Sequence, residues 1–150
     1  MRVHRLEREQ FLAHPIERVF SFFAEARNLE RITPPLLRFR VLTPGAIAMG
    51  VGTLIEYRVR VHGLPVDWLT RIEEWEPCVR FVDVQLAGPY RLWHHTHTFT
   101  ARHGGTLMND SVRYCLPGWP LGELAHPLVQ RDLATIFDFR RDAVERRLAS

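Results

Sequence analysis

From Gly52 to Leu116 the chain alternates apolar and polar residues in run after run, with short turn sequences between. This period of two constrains the fold more than any other feature, because it is the signature of half-buried strands. An antiparallel sheet that packs one face and wets the other writes this alternation into each strand. The first two runs meet at His62-Gly63-Leu64-Pro65. Folded about that turn, Val61 faces Val66, Val59 faces Trp68, Tyr57 faces Thr70 and Ile55 faces Ile72, all on the apolar side. On the other side Arg60 meets Asp67 and Glu56 meets Arg71, so opposite charges pair. A slip of one residue would lose both patterns.

The later strands read the same way. Trp93, His95, His97, Phe99 and Ala101 share one side of a long strand, and His94, Thr96, Thr98, Thr100 and Arg102 the other, solvent-facing one. A turn at His103-Gly104 pairs Phe99 with Met108, His97 with Asp110, His95 with Val112 and Trp93 with Tyr114. The run from Phe81 to Ala87 does not choose a side. Val82, Val84 and Leu86 share one face, and Phe81, Asp83 and Gln85 the other.

Both ends of the chain carry helical signals. Val3 to Ala13 reads as a first strand. Pro15 then opens a helix that buries Ile16, Val19, Phe20 and Phe23. Asn28 caps a second short helix, stopped by Thr33-Pro34-Pro35, and Leu36 to Leu42 reads as a short strand. After Pro117-Gly118-Trp119-Pro120 a helical segment, interrupted at Pro127, runs to about Leu148. Leu128, Val129, Leu133, Ile136, Phe137 and Val144 form its apolar side. At 1.5 Å per residue it is about 33 Å long, enough to lie across seven strands. The 150 residues, 46% of them hydrophobic, form one domain over residues 1–150 that needs neither disulfide nor metal to fold.

The charge narrows the partners. All 20 basic residues are arginine, for a net charge of +3. The densest basic stretch, Arg140, Arg141, Arg146 and Arg147, is interleaved with Asp138, Asp142 and Glu145, so it reads as a solvated helix face and not as a nucleic-acid surface. No apolar run approaches the ~18 residues of a membrane span. The N-terminus, Met1 to Glu9, is too charged for a signal peptide. Cys78 and Cys115 have no metal-type spacing and fit free thiols in a reducing cytoplasm.

The order strand, two short helices, six antiparallel strands and a long C-terminal helix resembles the START-like superfamily. It is also called SRPBCC or helix-grip, and includes polyketide cyclases and coenzyme-Q-binding START domains. The stretches that carry the resemblance are Asn28 to Pro35, Ile72 to Pro77, Gly88 to Phe99, and Gly105 to Asp110 with Tyr114. The resemblance covers essentially the whole chain and looks like an uncharacterised subgroup. It implies an α+β helix-grip fold, a curved seven-stranded antiparallel sheet around the C-terminal helix with an apolar cavity between them. It implies no cofactor and no universal catalytic motif.

The inward residues Tyr57, Trp68, Trp93, Phe99, Met108 and Tyr114, with Leu133 and Phe137 from the helix, are the candidate lining of that cavity. His95, His97, Asp110 and Tyr114 would add polar specificity. His97 and Asp110, opposed on neighbouring strands, could orient and activate an imidazole for a cyclisation or dehydration, or simply satisfy each other or anchor a ligand oxygen. His95, His97 and Asp110 also make a two-His, one-carboxylate set, but nothing else in the sequence supports a metal. Arg131 and Arg140 are better placed on the surface than in the cavity. The expected function is therefore to bind a hydrophobic or amphipathic small molecule: a lipid, quinone, isoprenoid or polyketide-like compound. The alternatives are a cyclase or dehydratase built on His97 and Asp110, and a protein-interaction module.

Overall fold

The computed structural model describes residues 1–150. Strand β1 (His4–Leu12) leads into α1 (Ile16–Ala24), two 3-10 turns (Ala26–Arg31 and Pro35–Leu37) and the two-residue strand β2 (Arg40–Val41). Five strands follow: β3 (Leu54–Val61), β4 (Leu64–Glu76), β5 (Arg80–Ala87), β6 (Leu92–Arg102) and β7 (Gly105–Cys115). A last 3-10 turn (Leu121–Ala125) runs straight into α2 (His126–Ala149). The strands form one antiparallel sheet in the order β1-β7-β6-β5-β4-β3-β2. This is the helix-grip arrangement, a curved sheet wrapped around the long C-terminal helix. Register shifts between β4 and β5, at Leu69/Thr70 and Ile72/Glu74, bend the sheet where it must curve.

The β6–β7 register is the expected one, with Phe99 on Met108, His97 on Asp110, His95 on Val112 and Trp93 on Tyr114. The β3–β4 register is not. Val61 pairs with Leu64, Val59 with Val66 and Tyr57 with Trp68, two residues tighter than the alternation alone suggests. The turn is the two-residue loop His62-Gly63, with φ +49° and +81°. Two successive positive φ values are the hallmark of the hairpin turn whose twist matches the strands. An even shift keeps every side chain on its expected face. It changes the charge pairs, so that Asp67 meets Arg58, at 2.7 Å, in place of Arg60.

The segment after α1 also departs from the sequence reading. Glu25, not Asn28, caps the first 3-10 turn by accepting from the Arg27 amide, while Asn28 donates its side-chain amide to the Phe22 carbonyl. The strand expected from Leu36 shrinks to Arg40–Val41, because Pro35 starts a 3-10 turn that Arg38 ends in the left-handed region at φ +46°.

Three apolar clusters hold these parts together. One lies under α1 and the C-terminal half of α2, around Val19, Phe20, Phe81, Phe99, Met108 and Val144. A second joins Trp93, Val112 and Tyr114 to Leu133 and Phe137 of α2. The third joins Ile55, Tyr57 and Ile72 to Val41 and Ala26. Leu128 of α2, expected inside, is exposed, and Ala143 and Leu148 are buried further along. Cys78 and Cys115 are both free. Gly105 is required by close approach. A Cβ on Gly105 would collide with the Leu12 carbonyl oxygen, where β7 enters the sheet beside β1. Gly105→Ala is expected to cost about 1–3 kcal/mol by forcing the strands apart, measured as a lower denaturant midpoint with an unchanged slope.

Candidate functional site

Between the sheet and α2 lies a cavity of about 1070 Å³. Its walls are mainly apolar and aromatic. Trp68 meets Trp93 edge-on at 5.2 Å, and Tyr90 tilts against both, at 5.6 Å from Trp68 and 4.8 Å from Trp93. Of the residues singled out from sequence, Tyr57, Trp68, Trp93, His95, His97, Asp110, Leu133 and Phe137 line it. Phe99, Met108 and Tyr114 do not line it. Phe99 and Met108 fill the core beneath α1, while Tyr114 packs beside Trp93 and Leu116 with its hydroxyl 3.2 Å from His126 Nε2. At the mouth the β3–β4 turn is clasped to α2, His62 Nε2 lying 2.8 Å from Asp132 Oδ2.

The polar end is built on three adjacent strands. β5 supplies Asp83, β6 supplies His95 and His97 two residues apart, and β7 supplies Asp110. Asp83 pairs with His95 across β5–β6, so it must share the inward face of the histidines. The two imidazoles stack at 3.7 Å, and His97 also stacks on Phe81 at 4.0 Å. His97 Nε2 lies 2.6 Å from Asp83 Oδ2, and His95 Nε2 lies 2.8 Å from Asp110 Oδ1. The expected His97–Asp110 contact is present only as an ion pair, His97 Nδ1 standing 3.1 Å from Asp110 Oδ1 without hydrogen-bond alignment. Asp83 and the two histidines also hold three ligand atoms within 4.8 Å of one another, a spacing that a cation or hydrogen bonds can use equally.

The four groups split their protons unequally. Burial disfavours every charge here, yet the imidazoles beside Asp83 and Asp110 outweigh it and hold both carboxyls below their usual range. Burial likewise opposes a charge on His97, but the flanking carboxylates of Asp110 and Asp83 win and raise it above an ordinary imidazole. His95 goes the other way. Burial and the charge of His97 exceed what Asp110 returns, so it is lowered. His97 is therefore the ring that more readily takes a proton, and His95 the one that favours the neutral form. With its Nε2–H donated to Asp110, His95 keeps a free lone pair on Nδ1.

Arg140 completes the charge balance. The sequence placed it at the surface, but it reaches inward from α2 over the Phe137 ring, at 5.0 Å, and lines the cavity. Arginine is rarely drawn inside alone; here the charges of Asp110 and Asp83 support it against the cost of burial. Arg131 stays exposed, at the cavity rim. With His97 protonated, two carboxylates face one imidazolium and one guanidinium, a neutral sum. Three buried polar atoms make no hydrogen bond within the chain: Trp68 Nε1, His97 Nδ1 and Arg140 Nε. All three belong to residues that line the cavity. Asp83 and Arg140 were not selected from sequence. The signal that finds Asp83 is the β5–β6 pairing opposite His95; for Arg140 no sequence signal exists without the helix's rotation.

The model for "Polyketide cyclase / dehydrase and lipid transport" proteins matches residues 12–139. Among solved structures, the Zhui aromatase/cyclase from a Streptomyces species superposes with a TM-score of 0.79 at 15% identity, covering 99% of this chain and 94% of that one. TTHA0849 from Thermus thermophilus gives 0.73 at 22% identity, with 97% of each chain covered. Ara h 8.0201 gives 0.69 at 18%, with 99% of each covered. At these identities the likeness is one of fold. No curated protein matches by sequence. No helix is long and apolar enough to cross a membrane.

Proposed function

Because the chain belongs to the polyketide cyclase / dehydrase and lipid transport family, we propose that it binds one hydrophobic or amphipathic small molecule between the sheet and α2. A lipid, quinone, isoprenoid or polyketide-like compound fits the reading. The observation that carries it is the division of the cavity. Aromatic walls around Trp68, whose Nε1 makes no hydrogen bond, and Trp93 lead to a polar end where His97 Nδ1 and Arg140 Nε make none within the chain either. Buried donors without acceptors are costly, so a ligand bearing carbonyl, phenolate or carboxylate oxygens gains most there. The apolar remainder of the ligand supplies affinity at about 25 cal/mol per Å² buried, less the cost of association.

Native mass spectrometry and solvent extraction across lipid, quinone and aromatic polyketide-like panels test this. One equivalent of an oxygenated amphipathic compound is expected, with quenching of tryptophan fluorescence as it meets Trp68 and Trp93. Arg140→Met should weaken oxygenated ligands by about 10- to 100-fold, the worth of a charged hydrogen bond. It should leave hydrocarbon probes nearly unaffected. Absence of binding across the panels overturns the reading.

A second reading is catalytic, and the unequal histidines favour it. Two titratable neighbours whose environments push them apart make a base and an acid. His95 Nδ1 would take a proton from the carbon next to a ligand carbonyl. His97 would give its proton to the departing hydroxyl, releasing water and leaving a conjugated double bond. Replacement of either histidine by alanine should then abolish turnover but not binding, and the rate should show a bell-shaped pH profile. Equal loss of both would assign the pair to ligand anchoring.

A further inference from the structure

A second cluster of ligating side chains lies outside the cavity. His4 opens β1, Glu123 sits in the 3-10 turn before α2, and His126 is the first residue of α2. None of the three lines the cavity. His4 Nε2 lies 2.7 Å from Glu123 Oε2, and the His4 and His126 rings stack at 3.5 Å, 13° from parallel. One ligand atom from each of the three lies within 4.8 Å of the others. His4 is only 7% exposed, and Glu123 and His126 are half-buried. Beside them the Tyr114 hydroxyl stands 3.2 Å from His126 Nε2.

We propose that His4, Glu123 and His126 form a binding site for a single late first-row divalent cation, Zn²⁺ above all. Two imidazoles and one carboxylate are the donor set that zinc and its neighbours take, whereas Ca²⁺ and Mg²⁺ ask for a shell of oxygens. A tetrahedral ion with bonds of 2.0–2.1 Å spaces its donors about 3.4 Å apart. The His4–Glu123 pair therefore opens slightly as the ion replaces the proton between them, and the stacked rings splay to aim at one point. Three protein donors leave a fourth position for the Tyr114 hydroxyl or a water. The three ligands come from two distant parts of the sequence, so a bound ion would staple the first strand to the start of the last helix.

The plain competitor is a network that satisfies itself, His4 with Glu123 and His126 with Tyr114, and takes no metal. Tag-free protein stripped with chelator and titrated with ZnCl₂, by calorimetry and native mass spectrometry, separates the two. The expected result is one Zn²⁺ per chain at micromolar or tighter Kd, a raised thermal midpoint, and visible d–d absorption when Co²⁺ is used instead. Glu123→Gln and His126→Asn, both at half-buried positions in the helical segment before and at the start of α2, should each raise the Kd at least tenfold. His97→Gln, in the cavity, should leave it unchanged. Binding weaker than millimolar overturns the proposal. So does binding lost in His97→Gln but kept in Glu123→Gln, which would place the ion on Asp83, His95 and His97.

Discussion

Asp110→Asn is expected to lower stability at pH 7 by about 3–5 kcal/mol, the cost of stranding a buried charge. The reason is the balance at the cavity's polar end. Asp83 and Asp110 together support the Arg140 guanidinium and favour a proton on His97, and one oxygen of Asp110 lies 2.8 Å from His95 and 3.1 Å from His97. Removing its charge leaves a net positive cluster under α2. A second substitution, Arg140→Met, should return part of the loss, so the double variant is more stable than the sum of the singles predicts. Denaturant unfolding of the four proteins reads this directly.

The pH dependence of the same unfolding has two limbs. Asp83 and Asp110 are held below their usual range. Their contribution is complete above the unfolded carboxyl value near 4, and it is lost as pH falls through the folded values. His97 is raised. Its contribution is complete below about 6.5 and is lost as pH rises through its folded value. Wild-type stability should therefore fall on both sides. Asp110→Asn should blunt the acid limb, and His97→Gln the alkaline one. Equal curves for wild type and variants would mean that the cluster does not hold these charges.

Phe20→Ala should cost a similar 3–5 kcal/mol, by a different route. Phe20 is 6% exposed and meets Trp75 at 5.2 Å, Phe81 at 6.2 Å and Phe99 at 5.2 Å, all edge-on or nearly so. Truncation opens a hole between α1 and the sheet that rings cannot refill without leaving their rotamers. The effect should reach the polar end as well, because Phe81 carries His97 on its other contact. A conservative Phe20→Leu should cost less than Phe20→Ala, and a smaller change in the alkaline limb should accompany it. A loss below about 1 kcal/mol for Phe20→Ala, well under the range for a buried ring, would show that α1 is not seated as described.

The sheet was largely legible in the sequence because alternation is a local property. Trp93 to Ala101 against Thr106 to Tyr114 fixed both face and register, since one turn, His103-Gly104, fits. The β3–β4 hairpin kept its faces but not its register. Alternation cannot distinguish pairings that differ by two, and the choice fell to the backbone of His62-Gly63. Asp83 escaped because it shares the more polar face of β5 with Gln85, opposite Val82, Val84 and Leu86, and only its pairing with β6 tells which face turns inward. Arg140 escaped for a longer-range reason. What draws it in is a pair of carboxylates on two strands distant in sequence, and no pattern within α2 records them. The His4–Glu123–His126 cluster is likewise a product of closure, since His4 and Glu123 stand 119 residues apart.

The pairing of β1 with β7 bears on how the chain assembles. Glu7 and Ser111, partners across these strands, are separated by 104 residues, and β1 has no other strand beside it. As the chain leaves the ribosome, its first strand has to wait for its last. Contacts this distant carry a large closure entropy, and proteins dominated by them fold in milliseconds to seconds. Until β7 arrives, β1 is an unpaired edge of the kind that invites association with other chains. Its alternating charges, Arg5, Glu7 and Glu9 on one side with Arg8 near them, suit a strand that must stay soluble while alone. Only after this sheet is complete can α2 close over it, so the cavity between them is among the last features to form.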